Sequence, residues 1–149
     1  MQKCTLALGC FWKPEENFKN KPGIIQTEVG YAGGKNEKVT YEEVCTGTTG
    51  HAEVVRLIFD ENKISFKKIL DLFFKMHDPT QKDMQFPDVG TQYRSEIFYE
   101  SEEQLNEAKE ILNEFNKKLN GEVQTNISKI KNYCKAEEYH QKYIEKNRL

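Results

Sequence analysis

A cysteine where a strand gives out and a glutamate turned toward apolar neighbours are the residues of this 149-residue chain best placed to do chemistry. The cysteine is Cys10, in Gly9-Cys10-Phe11-Trp12, directly after the alternating run Cys4-Thr5-Leu6-Ala7-Leu8. Lys13-Pro14-Glu15-Glu16 follows and reads as a helix start. Cys10 therefore stands at the mouth of a helix, where backbone N–H groups and the dipole favour a thiolate. That makes it a nucleophile candidate; the other reading is a buried cysteine in a small hydrophobic plug. The glutamate is Glu53. In the strand-like run from His51 to Phe59 it shares a face with Val55, Leu57 and Phe59, while Arg56 goes to the other side with Val54 and Ile58. A desolvated carboxyl favours its neutral form and could hold a proton near neutral pH, as a general acid must. The other reading is a carboxylate at a frayed strand end, reaching water or a local ion pair.

Composition narrows the chemistry. The four cysteines, Cys4, Cys10, Cys45 and Cys134, contain no C-x-x-C pair, and His51, His77 and His140 fall at no metal-ligand spacing with them. His51-Ala52-Glu53 copies the H-x-E half of a zinc deaminase signature, but the partner P-C-x-x-C is absent. A chain of this length buries a sizeable core without disulfide staples. No leader-like or membrane-length apolar segment is present, so a reduced, cytoplasmic protein is expected. The net charge of −2, with both signs mixed along the chain, offers no footprint for nucleic acid or an anionic membrane.

The elements that must position these residues follow from periodicity. Lys3 to Gly9 reads as a strand with Cys4, Leu6 and Leu8 inward, then a short helix to about Asn20. Ile24 to Val29 reads as a second strand running into the glycine-rich loop Gly30-Tyr31-Ala32-Gly33-Gly34, and Thr40 caps a single helical turn. After the strand ending at Phe59, Ser65 caps a helix with the stripe Phe66, Ile69, Leu70, Phe73 and Phe74, which is core packing without chemistry. Thr80 to Gln92 lacks periodicity and is a loop long enough to hint at function, delivering Asp88 and Tyr93. Tyr93 to Tyr99 is a strand, Ser101 and Gln104 form a capping box for a helix that Gly121 ends, Val123 to Ile130 is a last strand, and Lys135 to Asn147 a polar terminal helix. No repeat or linker interrupts the chain, so residues 1–149 are expected to form one α+β domain, with helices packed on a mixed or mostly antiparallel sheet.

The chain resembles the peptide methionine sulfoxide reductase A family. The segments that carry the resemblance are Gly9-Cys10-Phe11-Trp12, Gly30-Tyr31-Ala32-Gly33-Gly34, Tyr41-Glu42-Glu43-Val44-Cys45-Thr46-Gly47, Thr49-Gly50-His51-Ala52-Glu53-Val54-Val55, His77-Asp78-Pro79-Thr80, Asp88-Val89-Gly90-Thr91-Gln92-Tyr93-Arg94-Ser95 and Ala136-Glu137-Glu138-Tyr139-His140-Gln141. They run in family order over nearly the whole chain. The resemblance implies a two-layer, ferredoxin-like fold and repair of oxidised proteins by reduction of the S epimer of methionine sulfoxide, free or in protein. It implies Cys10 as nucleophile, Phe11 and Trp12 around the substrate methyl group, and Glu53, Tyr41 and Tyr93 around the sulfoxide oxygen. Asp88 would support them, and Tyr31 and His51 would complete the substrate-binding set. The chemistry agrees: a thiolate can attack a sulfoxide sulfur only if a proton reaches the departing oxygen, and attack leaves a sulfenic acid. Such a pocket needs no metal or bound organic cofactor.

Many family members continue past the region like Glu145-Lys146-Asn147 into a glycine-rich tail whose cysteines resolve the sulfenic acid, and this sequence ends at Leu149. Cys4 is about 20 Å from Cys10 at strand rise, where a disulfide needs Cα atoms within about 7 Å. Cys45 is read as structural and Cys134 as the best internal resolving candidate. The preferred expectation is a single-cysteine enzyme, monomeric or linked as a dimer by an intermolecular disulfide. Its sulfenic acid is expected to be reduced by an external thiol, glutathione with glutaredoxin or thioredoxin. A thiol peroxidase and a non-catalytic module binding oxidised methionine are the rival classes.

Overall fold

In the computed structural model, which describes residues 1–148, the elements run in order as β1 (Gln2–Leu8), α1 (Trp12–Lys19), β2 (Ile24–Ala32), α2 (Tyr41–Cys45), β3 (Ala52–Phe59) and α3 (Phe66–Met76). A short hairpin follows, β4 (Met84–Gln85) and β5 (Asp88–Val89), then a 3-10 turn over Thr91–Tyr93 and β6 (Ser95–Tyr99). The chain closes with α4 (Glu102–Lys118), β7 (Asn126–Lys129), β8 (Cys134–Lys135), a second 3-10 turn over Glu138–His140, and α5 (Tyr143–Lys146).

Six strands form one sheet in the order β7-β6-β1-β3-β2-β8, antiparallel throughout except for the β6–β7 pair. Its central four strands, β6-β1-β3-β2, have the order of the expected ferredoxin-like two-layer fold, and the mixed α+β class agrees with the sequence reading. The alternating runs decide which face each strand buries. Leu6 of β1 pairs with Val55 of β3 and Cys4 with Leu57, and these side chains join Ile69, Leu70 and Phe73 of α3 and Ile111 and Phe115 of α4 in the main core. Each fully buried Leu, Ile or Phe contributes about 1.5–3 kcal/mol by leaving water. On the opposite face Ala7, Ala32, Ala52, Val54 and Phe98 pack against Ile130 and Tyr133, and the Arg56 guanidinium lies 3.8 Å above the Tyr133 ring.

Several expectations need correction. Gly30, Tyr31 and Ala32 belong to β2 rather than to a loop, because β8 pairs with the strand there and extends it. The last long strand is shorter than Val123 to Ile130, and Ser95 rather than Tyr93 begins β6. The loop from Thr80 to Gln92 contains the β4–β5 hairpin. Ser101 caps α4 through the Gln104 N–H, but the Gln104 side chain does not return to close a box; its amide donates to Lys3 O at 2.7 Å, joining helix to sheet.

The terminal segment departs most. It forms only a 3-10 turn and the four-residue α5, because its polar side chains bond the sheet and α1 in place of helical partners. Gln141 accepts from Val29 N–H and donates to Val29 O, both at 2.9 Å, so one side-chain amide occupies the edge of β2 as a strand residue would. Lys142, with φ 54°, donates its backbone N–H to Glu15 Oε1 at 2.7 Å and its ammonium to Glu15 Oε2 at 3.2 Å. The Thr27 hydroxyl donates to the same carboxylate at 2.8 Å, and Glu15 is 1% exposed. This clamp locks α1, which begins at Trp12, to the terminal segment. Glu15→Ala strands the Thr27 hydroxyl and the Lys142 N–H, each at about 1–3 kcal/mol. Urea unfolding is therefore expected to show a loss of about 2–4 kcal/mol for that variant, against less than about 0.5 kcal/mol for Glu145→Ala on the exposed end of the segment.

Candidate active site

The site forms where β1 ends and β3 begins, on neighbouring antiparallel strands at one end of the sheet. Gly9 turns the chain out of β1 with φ 95°, a conformation that only glycine adopts freely. The hairpin presses on this turn so closely that a Cβ at Gly9 would stand 3.0 Å from Gln85 Cγ. Cys10 follows, half-buried, and Phe11, 1% exposed, sits at the start of α1. Beneath it Glu53, 1% exposed, accepts from the Phe11 N–H at 3.3 Å. The apolar-facing carboxyl expected from the spacing is therefore present, adjacent to the thiol.

Burial governs the charges here. Glu53 is pushed up to about 8, chiefly by loss of water, with the Phe11 N–H opposing and the Asp88 carboxylate adding. Cys10 is pushed up to about 12, again chiefly by burial, with the Trp12 N–H opposing and Glu53 and Asp88 adding. These surroundings oppose the thiolate expected at a helix mouth: one backbone N–H does not offset desolvation and two carboxyl neighbours. Tyr93 is pushed up to about 12 by burial and then by Glu53, and Tyr41 is pushed upward by burial and by the Cys45 thiol beside it. Both phenols therefore keep their protons at neutral pH and remain donors. Asp88, on β5, acts on Cys10, Glu53 and Tyr93 alike. Cys10, Tyr41, Glu53 and the pair Asp88 and Tyr93 are brought together from four separate stretches of chain.

An aromatic wall completes the group. The Trp12 ring, half-buried, stacks on Tyr143 at 3.8 Å between centroids and 8° between planes. Its indole N–H donates to His140 Nδ1 at 3.0 Å, so the imidazole carries its proton on Nε2. His140 is 1% exposed, and its ring centroid lies 5.2 Å from Phe11 and 4.6 Å from Tyr41. Burial holds its pKa below the usual value, which keeps it neutral. Glu137 accepts from the Tyr31 hydroxyl and from the Tyr41 N–H, both at 2.8 Å, and so fixes the start of α2. His140 and Glu137 were not singled out from the sequence. Their motif Ala136 to Gln141 was legible there, but its placement against Trp12 and Tyr41 is a tertiary fact.

Other assignments shift. Tyr31 is 0% exposed with its hydroxyl engaged by Glu137, so it supports the site from beneath and lines no surface open to substrate. His51 is 1% exposed and packs against the Gly33–Gly34 segment, where a Cβ on Gly34 would come within 2.0 Å of its Nδ1. Cys134, the expected internal resolving candidate, donates to Val39 O and Lys135 O and lines a separate open groove with Glu37, Lys38 and Tyr133. Cys45, read as structural, is exposed at the end of α2, beside Tyr41. Among the described residues no group of three or more His, Cys, Asp or Glu side chains is gathered as metal ligands.

The family model described as peptide methionine sulfoxide reductase matches residues 2–149. The chain belongs to the peptide methionine sulfoxide reductase family. It is an oxidoreductase of that family, and its relatives agree. The reductase MsrA of Pelagibacter ubique is 56% identical over 98% of this chain and 99% of its own length. The crystal structure of Mxr1 from Saccharomyces cerevisiae in reduced form superposes with a TM-score of 0.94, at 40% identity over 98% of this chain and 85% of that one. Mxr1 in complex with Trx2 superposes at 0.68, with 28% identity over 95% and 84% of the two chains.

The electrostatics predict how this reductase-family thiol reacts with an external alkylator. Alkylation of Cys10 by iodoacetamide, followed by peptide mapping, should be slow at pH 7 and still rising at pH 10, because the thiolate fraction keeps growing toward a pKa of about 12. Glu53→Gln removes a carboxylate that adds to this shift, so Cys10 in that variant should react faster at pH 9.

Proposed function

We propose that the chain reduces the S epimer of methionine sulfoxide, free or in proteins, to methionine, with Cys10 as nucleophile and Glu53 as proton donor. The observation that carries this reading is a carboxyl group beside a thiol that keeps its proton to about pH 8. A sulfoxide oxygen is a poor acceptor of negative charge, and a neutral carboxylic acid within reach of it supplies the proton that lets the sulfur be attacked.

In this mechanism the sulfoxide oxygen lies among Glu53, Tyr41 and Tyr93, whose phenols donate hydrogen bonds as charge builds on it. The methyl group lies against Phe11 and Trp12, held by the Tyr143 stack and the His140 hydrogen bond. Glu53 gives its proton to the oxygen as the Cys10 sulfur bonds to the substrate sulfur, and the thiol's own proton restores Glu53. Transfer of the oxygen to Cys10 breaks the bond to the substrate, releases methionine and leaves a sulfenic acid. Because burial favours the protonated form of Cys10, attack coincides with loss of the thiol proton. Burial is the main reason that Glu53 keeps its proton, and Asp88 adds to it.

The sulfenic acid is then reduced by an external thiol rather than by a second cysteine of the chain. Cys4 is 1% exposed in the core and Cys134 is turned toward Val39 and Lys135, which supports this single-cysteine course. The relative solved with Trx2 supports a thioredoxin-type reductant, and glutaredoxin with glutathione is the alternative source of the same thiol.

Two outcomes test the proposal. Turnover of methionine sulfoxide should hold at lower pH and fall as pH rises through about 8, where Glu53 loses its proton. Glu53→Gln should lower kcat by about 10²–10⁴ and abolish that alkaline limb, since the amide has no proton to lose; a retained limb would assign it to another group. Reduced protein treated with one equivalent of methionine sulfoxide should gain roughly 16 Da, the mass of one oxygen, by intact mass spectrometry. A monomer lighter by two hydrogens, with a disulfide mapped to Cys45 or Cys134, would overturn the single-cysteine course.

A further inference from the structure

Among the described residues, two of the five exposed large hydrophobic side chains lie within four residues of each other on the β4–β5 hairpin: Phe86, 76% exposed, and Val89, 68% exposed. They lie beside Gln85, which packs on the Gly9 turn, and Asp88, whose carboxylate acts on Cys10. Gln85 and Asp88 pair across the hairpin and share a face, Gln85 reaching Gly9 and Asp88 acting on Cys10. Phe86 and Pro87 form the exposed tip between them, and Val89 pairs with Met84 one position on.

The hairpin is not a loose flap. The Phe86 N–H donates to Gln81 Oε1 at 2.7 Å, the Gln85 side chain donates to Asp78 O and accepts from Asp78 N–H, and the Gly90 N–H donates to Asp83 O at 2.9 Å. Apolar side chains held in water on a braced backbone mark a contact surface, because little ordering entropy remains to be lost when they are covered.

We infer that Phe86 and Val89 form a docking rim for the peptide segment that carries an oxidised methionine, favouring apolar residues next to it. The inference rests on the proposed function and extends it to a substrate class. With the sulfoxide at Cys10, the methionine Cα must stay at the mouth of the site, and its neighbours, about 3.8 Å further along the chain, must pass over whatever borders Cys10. The hairpin is that border. Methionine resides mostly in apolar interiors, so segments bearing its sulfoxide in an unfolded protein bring apolar neighbours with them.

The experiment compares free methionine sulfoxide with two blocked pentapeptides that place methionine sulfoxide between leucines or between serines, with dithiothreitol as reductant. In the native chain the leucine peptide should exceed the serine peptide in kcat/KM by roughly tenfold, the scale expected from covering one or two such side chains. Phe86→Ser with Val89→Ser should bring that ratio to about one while free methionine sulfoxide turns over within about twofold of native, a result that also reports an intact fold. An unchanged ratio, or an equal loss on all three substrates, would overturn the inference and leave the proposed reaction standing. A loss seen only when a thioredoxin replaces dithiothreitol would overturn it too, giving the face to the reductant. No turnover of any substrate by the native chain would instead sink the proposed function, and this inference with it.

Discussion

Removing a carboxyl group from water without giving it a cation forces it to keep its proton, and the arrangement around Glu53 follows from that constraint. The groups that act on it are the Phe11 N–H and the Asp88 carboxylate. The first holds the side chain in place; the second opposes its ionisation. The same dry, acidic surroundings bear on Cys10 and the two phenols, all of which are pushed upward. Burial thus favours the neutral forms of Glu53, Cys10 and both phenols. A protonated thiol is the poorer nucleophile toward stray oxidants and alkylators. The burial that makes Glu53 an acid therefore also restrains Cys10.

Such a site needs rigid walls, and most of the rigidity comes from the end of the chain. Gln141 imitates a strand at the edge of β2, and Lys142 ties back to Glu15 in α1. Between these anchors His140 is inserted among Phe11, Trp12 and Tyr41. A helix over the same residues would have spent their backbone groups on one another and left the β2 edge and the Glu15 carboxylate without these partners. Glu137 connects the same segment to Tyr41, so the aromatic wall and one phenol share a support.

The opposite side of the site is built differently. There the hairpin from Met84 to Val89 packs tightly on the Gly9 turn, where a Cβ would stand 3.0 Å from Gln85 Cγ. It contributes Asp88 inward and hydrophobic side chains outward. One side of Cys10 thus belongs to the folded interior and the other to the solvent boundary.

By itself the sequence determined what short-range pattern can determine. The alternation of β1 and β3, the stripe of α3, the caps at Thr40 and Ser65 and the inward face of Glu53 all follow from side-chain direction along a strand or helix, and the ordered motifs gave the family. The residues gathered at Cys10 were legible in identity because the motifs hold them. What only the tertiary structure decided were the properties that depend on groups distant in sequence. The Cys10 thiol is pushed upward, against the local expectation, because burial outweighs one helix N–H, with Glu53 and Asp88 adding. Tyr31 and His51 are buried, the Cys134 thiol donates to Val39 O and Lys135 O, and Cys45 comes beside Tyr41. The terminal segment trades helix for sheet-edge contacts that become available only once β2 and α1 are in place. Periodicity reports where a side chain points; desolvation and long-range pairing depend on what the folded chain brings to meet it.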